Sequence, residues 1–438
     1  MNIKIITLCC FIGLGTCYAQ QELSPEDAVN YVLDNNYGIK IANKNLEVSE
    51  NNTSIYNTGY LPTLTGNAGA TYNLDNNESQ YSDGGPDAVL NGAESSRYNA
   101  SLDVNYTLFD GLGRKYNYKR LKEQYQLSEL QARETIENTI IELFSIYYNV
   151  AQLSENATTF QQTLSISKDR LVRSEYQFEY GQNTKLEVLN AEVDINNDSI
   201  NLINTKQQLN NTKRDLNFVM GNQVADDFTV KTEINFLLDI DKADLLEKAK
   251  SRNVALLQAD KSIQISKLDI KTGKSSYLPT LGLVGSYGWN KSDNNAASFV
   301  AVSTNTGLSA GLNLSWNIFD GGSTLIRVKN AEVALKNQEL QKEQILLSLE
   351  RDFNNAWDDY QNKLTIFRVQ ENNIITAQNN FDRSQEKFKI GQVNSIEFRQ
   401  AQLNLLNAEL SRNQAKYQAK LSELQVLQLS GELLNIAY

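Results

Sequence analysis

The sequence predicts a mainly α-helical chain that also carries membrane β-strands, built twice over from one plan. Three observations lead there. The first is duplication: Tyr60-Leu61-Pro62-Thr63-Leu64 returns letter for letter as Tyr277-Leu278-Pro279-Thr280-Leu281, and Phe109-Asp110-Gly111 returns 210 positions later as Phe319-Asp320-Gly321. The same offset carries Arg173-Ser174 onto Arg383-Ser384, Gly181-Gln182 onto Gly391-Gln392 and Gly221 onto Gly431. A repeat of this size exceeds the period of a solenoid module and amounts to half a protein. The second observation is that no Gly or Pro interrupts 114–180 or 323–390. An unbroken helix over either stretch is about 100 Å long at 1.5 Å per residue. The third is a change of period to strict alternation in the segments that precede those helices.

The chain opens with a charged start, a short apolar run to Gly15 and a small-residue exit, Cys17-Tyr18-Ala19. Residues 1–19 therefore read as a secretory signal peptide, too short in its apolar part to span a bilayer. Leu14-Gly15-Thr16-Cys17 loosely resembles a lipoprotein cleavage box, which would make Cys17 a lipid attachment point, although threonine before the cysteine departs from that box. Cleavage at Ala19 would leave a chain with neither cysteine nor histidine. Thiol catalysis, His-assisted hydrolysis and Cys/His zinc sites are then closed to it, and no carboxylate pair or nucleophile cluster suggests an enzyme. No cofactor or metal is expected. A formal charge of −11 argues against nucleic acid as a partner.

Residues 20–240 form the first repeat: a leading helix, a β-hairpin over 62–109, a helical hairpin over 112–220 and a linker. Residues 241–438 form the second, with a β-hairpin over 279–319 and a helical hairpin over 322–430. Gly181 and Gly391 mark the turns between outgoing and returning helices. The second return helix carries Ile396, Leu403, Leu410, Tyr417 and Leu424 at seven-residue steps, with Leu406 and Leu427 in the companion seam. The first carries Leu186, Val193 and Ile200 in one seam and Leu189 and Ile203 in the other. Heptads with Asn, Gln, Glu and Lys elsewhere imply supercoiled packing in water, around a wet lumen or as a dry rod.

In the hairpins, Leu64, Gly66, Ala68, Ala70, Tyr72 and Leu74 alternate with polar residues, as do Tyr98 to Leu108 and Leu308 to Ile318. Alternation over about ten residues with aromatic ends suits a membrane barrel strand. Polar loops are expected at Asp75–Arg97 and Lys291–Thr306. Four strands cannot close a barrel, and an open edge in lipid leaves backbone groups unpaired at several kcal/mol each. Other copies must complete it. A dimer gives eight strands with a filled interior, whereas a trimer gives twelve with room for a lumen, and the trimer is favoured.

The doubled hairpin, the Leu-Pro before each strand pair, the Phe-Asp-Gly after it and the Gly-x5-Glu tip turns together resemble the TolC-type outer-membrane efflux family, over about Leu23 to Gly431. The resemblance implies a homotrimeric channel-tunnel: a shared 12-stranded β-barrel in outer-membrane lipid and a long coiled-coil α-helical barrel in the periplasm. It implies an exit duct for a tripartite efflux pump or type I secretion system, docking with a periplasmic adaptor protein and an inner-membrane RND or ABC transporter. Carried over by position, the acidic lining of the periplasmic aperture falls on Glu397 and Gln400, with Glu187 and Asn190 in the first repeat. The adaptor-docking tips fall on Gly181, Gln182, Gly391 and Gln392. An arginine that locks the closed state in the family is replaced by Val393 and Asn183, with Lys185, Lys389 or Arg399 as candidate substitutes. The competing expectation is a structural or adhesive trimeric coiled coil anchored in the outer membrane.

Overall fold

The computed structural model describes residues 21–225, 227–237, 241–296 and 298–436. The signal peptide and Cys17 lie outside the described residues. The elements in order are β1 (Gln21–Leu23), α1 (Pro25–Asn35), α2 (Tyr37–Asn52), β2 (Thr63–Ser79), β3 (Ala88–Asp110), α3 (Gly113–Glu179), α4 (Lys185–Val219), β4 (Phe228–Val230), α5 (Lys242–Arg252), α6 (Val254–Ser275), β5 (Thr280–Asp293), β6 (Val302–Ser315), α7 (Ser323–Lys389) and α8 (Ser395–Ser430). Both outgoing helices, α3 and α7, are 67 residues long. Two compact units result, and each draws on both repeats: one holds Asn43–Ala132 and Ala255–Ile345, the other holds Arg133–Val254, Leu346–Tyr438 and the chain up to Ala42. The sequence repeats and the compact units therefore cut the chain differently: the repeats meet in the linker at 240/241, whereas unit boundaries fall inside α3, at 132/133, and inside α7, at 345/346.

In the unit containing the strands, a four-stranded antiparallel sheet has the order β2-β3-β5-β6. Its two hairpins keep the same register residue for residue. Thr63 faces Asn105 and Leu64 faces Val104 in the first, while Thr280 faces Ser315 and Leu281 faces Leu314 in the second. Alternation then sorts the side chains into rows. One row crosses all four strands as Thr65, Asp103, Ser286 and Ser309, wholly polar; the next crosses as Gly66, Leu102, Tyr287 and Leu308, wholly without charge. Leu308 is 79% exposed and Leu102 53%. A face this apolar and this open suits lipid rather than water.

Two expectations about the strands are corrected. Most of 75–97 is strand rather than loop, since β2 runs to Ser79 and β3 starts at Ala88, with a bulge between Asp75 and Asn77. In the second hairpin, β5 reaches Asp293 and β6 starts at Val302. About ten residues cross a bilayer, so the ends of a 23-residue strand project beyond it, where both faces can be polar and the alternation disappears while the ladder persists. Conversely, β6 stops at Ser315 although its alternation continues to Ile318. Ser315 faces Thr280, the first residue of β5, so no strand among the described residues pairs with the residues that follow, although the Trp316 indole donates to the Tyr277 carbonyl at 3.1 Å.

The leading helices are also corrected: each is broken into two. Asn36 and Asn253 sit at the breaks with extended ψ of 128°. Asn36 donates through Nδ2 to the Val219 carbonyl at 2.9 Å, and Asn253 likewise to the Leu429 carbonyl at 3.1 Å. Each asparagine thus satisfies an orphan carbonyl at the C-terminus of a return helix. The glycines that end those helices, Gly221 and Gly431, have φ of +77° and +72°. A Cβ on Gly221 would lie 2.8 Å from the Asn35 carbonyl oxygen, and one on Gly431 2.7 Å from that of Arg252. The core of this unit surrounds the joint: Leu23, Phe144, Tyr147, Leu216, Met220, Phe228 and Tyr417 are all buried. The Tyr147 hydroxyl donates to the Leu23 carbonyl at 2.7 Å and accepts from the Lys231 amide at 3.1 Å, tying the parallel pair β1–β4 to α3. Burial pushes the Tyr147 and Tyr417 hydroxyls well up, so both stay neutral.

The heptad seams differ between the return helices. In α8, Leu406, Tyr417, Leu424 and Leu427 are buried and Leu403 and Leu410 half-buried, but Ile396, at the head of the seam, is exposed. In α4, Leu186, Val193, Ile200, Leu189 and Ile203 are exposed, and the chain instead buries Val188, Ala191, Leu202, Thr205 and Leu216. The first seam therefore has no partner within the described residues.

Gly431→Ala should lower the melting temperature of the detergent-solubilised protein much more than Gly181→Ala. Both incur left-handed strain of about 1–2 kcal/mol, but a Cβ at Gly181 meets nothing within 4 Å whereas at Gly431 it drives into backbone. Equal shifts by circular dichroism would refute the close approach of α5 and α8.

Candidate functional site

The turns that end α3 and α7 are built alike. Gln182 N donates to the Gln177 carbonyl at 2.8 Å, and Gln392 N donates to that of Lys387 at 2.9 Å. These six-to-one bonds need a left-handed residue just before them, and Gly181 (φ +70°) and Gly391 (φ +75°) supply it. All four candidate tip residues, Gly181, Gln182, Gly391 and Gln392, are exposed. Below the second turn, Phe388 and Phe398 stack at 4.7 Å and Phe381 lies 5.6 Å from Phe398. The Arg173 guanidinium sits 5.4 Å over the Phe388 ring and also donates to the Lys389 carbonyl, so one side chain of α3 holds the end of α7.

The four candidate aperture residues divide into two pairs. Glu397 and Gln400 lie on the exposed side of α8. Glu397 belongs to a capping box: its amide donates to Asn394 Oδ1 at 2.8 Å, and its carboxylate takes a long 3.4 Å bond from the Asn394 amide. Gln400 bonds Asn404 at 2.9 Å. Glu187 and Asn190 instead face a cleft of about 190 Å³ shared with Arg170, Val193, Asp194, Ser395, Ile396 and Arg399. Asn183 donates to Glu187 at 2.7 Å. Glu397 and Gln400 are not part of that cleft.

Behind the cleft lies a polar cluster that the sequence did not reveal as a unit. Arg399 grips Asp198 with both terminal nitrogens, at 2.9 and 2.8 Å, from α8 to α4. Ser167 of α3 donates to Asp198 at 2.6 Å. Gln402 donates to the Thr163 carbonyl at 2.9 Å and to the Ser167 hydroxyl at 3.1 Å. Arg170 pairs with Asp194, and Arg399 Nε stands 3.6 Å from Asp194. Asp198, Arg170 and Gln402 are 1%, 3% and 2% exposed. Of the candidate locking residues, only Arg399 joins two hairpins. Lys389 pairs with Glu386 on its own helix and Lys185 lies over Phe178. A signal did exist in the sequence: at the 210 offset, Asp198 stands against Ala408, Arg170 against Asn380 and Arg399 against Leu189. The charges sit where the repeats disagree.

Arg399→Ala would leave a buried carboxylate unpaired, at a cost of about 3–5 kcal/mol, whereas replacing a buried pair by apolar residues is often neutral. Arg399→Ala should therefore speed proteolytic nicking at the turns 180–184 and 390–394, and Arg399→Met combined with Asp198→Leu should restore protection. Equal cleavage of single and double variants would show that the pair does not fasten the hairpins.

The comparisons with known proteins agree with this architecture. The profile of the outer membrane efflux protein family matches residues 28–222 and 245–432, nearly the whole of both repeats. The chain is 18% identical over 399 residues to the outer membrane efflux protein BepC of Brucella suis, covering 91% of this chain and 83% of that protein. It is 25% identical over 362 residues to the outer membrane protein TolC of Salmonella enteritidis, covering 81% and 72%. Among solved structures, the Campylobacter jejuni CmeC outer membrane channel matches with a TM-score of 0.77 at 15% identity, over 99% of this chain and 94% of that one. The outer membrane protein VceC of Vibrio cholerae matches at 0.70 and 13% identity, over 92% and 96%. The chain belongs to the outer membrane efflux protein family.

Proposed function

We propose that three copies of this chain close one duct, with the polar rows of the sheet facing a common lumen and the apolar rows facing outer-membrane lipid. Membership of the family makes the protein an outer-membrane efflux channel. The observation that carries the trimer is the sheet itself: β2 and β6 are its end strands, and each has one edge without a partner among the described residues. Backbone groups on those edges cannot remain unpaired in hydrocarbon, and four strands are too few to curl shut. Three copies bring twelve, enough for a lumen. The unpartnered seam of α4 supports the same reading, because Leu186, Val193 and Ile200 give a neighbouring copy an apolar stripe to cover. An anchored adhesive rod would not need a wholly polar row through every strand.

In this reading the tips at Gly181-Gln182 and Gly391-Gln392 meet a periplasmic adaptor, and an inner-membrane RND or ABC transporter supplies the energy. Glu397, with Gln400 one turn on, would face its copies near the narrow end; Glu187 and Asn190 would lie behind, in the cleft each chain forms alone. The Arg399–Asp198 pair would keep α8 against α4 where the family's arginine is absent. Opening then requires the hairpins to separate elsewhere or that pair to break.

Native mass spectrometry in mild detergent should give a trimer, and a stable folded monomer would overturn the reading. In reconstituted single channels at low ionic strength, where screening is least, Glu397→Gln should weaken cation preference and relieve block by divalent ions from the periplasmic side. Glu187→Gln should do so less. Unchanged block in the Glu397 variant would return that carboxylate to its capping role alone.

A further inference from the structure

The two hairpins share one register, and the seam between them, β3 against β5, is fully described. We propose that the seam between neighbouring copies, β6 of one chain against β2 of a second copy, repeats the β3–β5 seam residue for residue. The inference rests on the trimer reading and adds to it a stated register, with a strand that lengthens on assembly.

The internal repeat supplies the transformation. Phe109-Asp110-Gly111 maps onto Phe319-Asp320-Gly321, so β3 maps onto β6; Tyr277 to Leu281 maps onto Tyr60 to Leu64, so β5 maps onto β2. The mapping is structural as well as textual, because it carries every pairing from Thr63–Asn105 to Asn73–Ser95 onto Thr280–Ser315 to Asn290–Asn305. In the inner seam, Asp103 faces Ser286, Asn105 faces Val284, Tyr106 faces Leu283 and Asp110 faces Thr280, with Leu108 bulged. Mapped outward, Asn313 faces Gly69 of the second copy, Ser315 faces its Asn67, Trp316 its Gly66 and Asp320 its Thr63, with Ile318 bulged.

Three features of the chain accord with this seam, the first carried by the mapping and the other two independent of it. Face parity is preserved: Ser315 and Asn67 both belong to polar rows, while Trp316 and Gly66 both belong to apolar ones, as a one-residue slip would not allow. Trp316, whose indole donates to the Tyr277 carbonyl of its own chain at 3.1 Å, falls opposite a residue with no side chain to crowd it. And the residues after Ser315, which pair with no strand among the described residues, gain one. Trp316, Ile318 and Phe319 are 57%, 82% and 85% exposed, although their sequence alternates as a strand. On assembly β6 would extend through Asp320, as β3 already does through Asp110.

The chain's only cysteines are Cys9, Cys10 and Cys17, all before residue 20, so engineered thiols report cleanly. Directly paired residues in an antiparallel ladder have Cα atoms about 4.5–5.5 Å apart, inside disulfide reach, whereas a two-residue slip puts them about 7–8 Å apart, outside it. Ser315→Cys with Asn67→Cys is the matched pair. Ser315→Cys with Gly69→Cys is the slipped pair on the same face. Asn105→Cys with Val284→Cys is the equivalent pair inside one chain and shows that the site can oxidise. After mild oxidation of outer membranes, denaturing non-reducing gels should show covalent dimers and trimers for the matched pair. The slipped pair should give at least about tenfold less, and the inner pair should lose its free thiols without forming a ladder. A ladder from the slipped pair only, or none from either while the protein still runs as a non-covalent trimer, overturns the register and leaves the duct standing. No ladder together with a monomer in mild detergent overturns both.

Discussion

A backbone amide or carbonyl left unpaired in hydrocarbon costs several kcal/mol, and that constraint reaches every part of this chain. A sheet of four strands with two free edges is tolerable in water and intolerable in a bilayer. The chain cannot be finished as a monomer, and its apolar sheet face, its exposed α4 seam and its unpaired segment after Ser315 are all features of an unfinished surface. In water each would be an aggregation hazard. In the ring proposed above, lipid would cover the sheet face and neighbouring copies would cover the other two.

Duplication answers the constraint economically. Each copy of the ring needs two equivalent hairpins, and the same local devices recur to hold them. Asn36 and Asn253 close the C-termini of α4 and α8 with the same side-chain bond. Gly221 and Gly431 admit the same close backbone approach. Asp110 and Asp320 each accept the amide four residues on, Arg114 and Thr324, at 2.8 Å where the strands give way to helix. These positions define scaffold: they are set by steric contact and hydrogen-bond satisfaction, and neither depends on what passes through the lumen.

Much of this was legible in the sequence because it depends on local chemistry. A helix of 67 residues announces itself by the absence of Gly and Pro, and its end by Gly181 or Gly391. A strand exposed to lipid on one side and water on the other must alternate. Where both sides are water, as over 75–79 and 88–97, the constraint lapses and strand reads as loop. The broken leading helices escaped for the opposite reason: Asn36 and Asn253 are ordinary residues in polar surroundings, and only the return-helix carbonyl in space gives them meaning. The site was half legible. Position along the repeat placed Glu397, Gln400, Glu187 and Asn190 near the tip, but whether a side chain faces a neighbouring helix of its own chain or open space depends on helix rotation, and seven-residue counting on α4 finds an apolar stripe without telling which partner covers it.

The polar cluster at Arg399 marks where the two halves stop being interchangeable. Its members replace small or neutral residues of the other repeat, as Asp198 replaces Ala408 and Arg170 replaces Asn380. A buried ion pair contributes little net stability beside an apolar contact of the same volume, since desolvation offsets most of the attraction. What it provides is a preference for one arrangement: separated charges in a dry interface are costly, so intermediate positions of α8 against α4 are disfavoured. The neighbouring stack of Phe381, Phe388 and Phe398 is held by apolar ring contact and carries no charge. Together they give the tip an apolar stack below one turn and a directional charged pair between hairpins. The symmetric positions recur in both repeats, whereas these charges occur once and fix which face of α8 lies against α4.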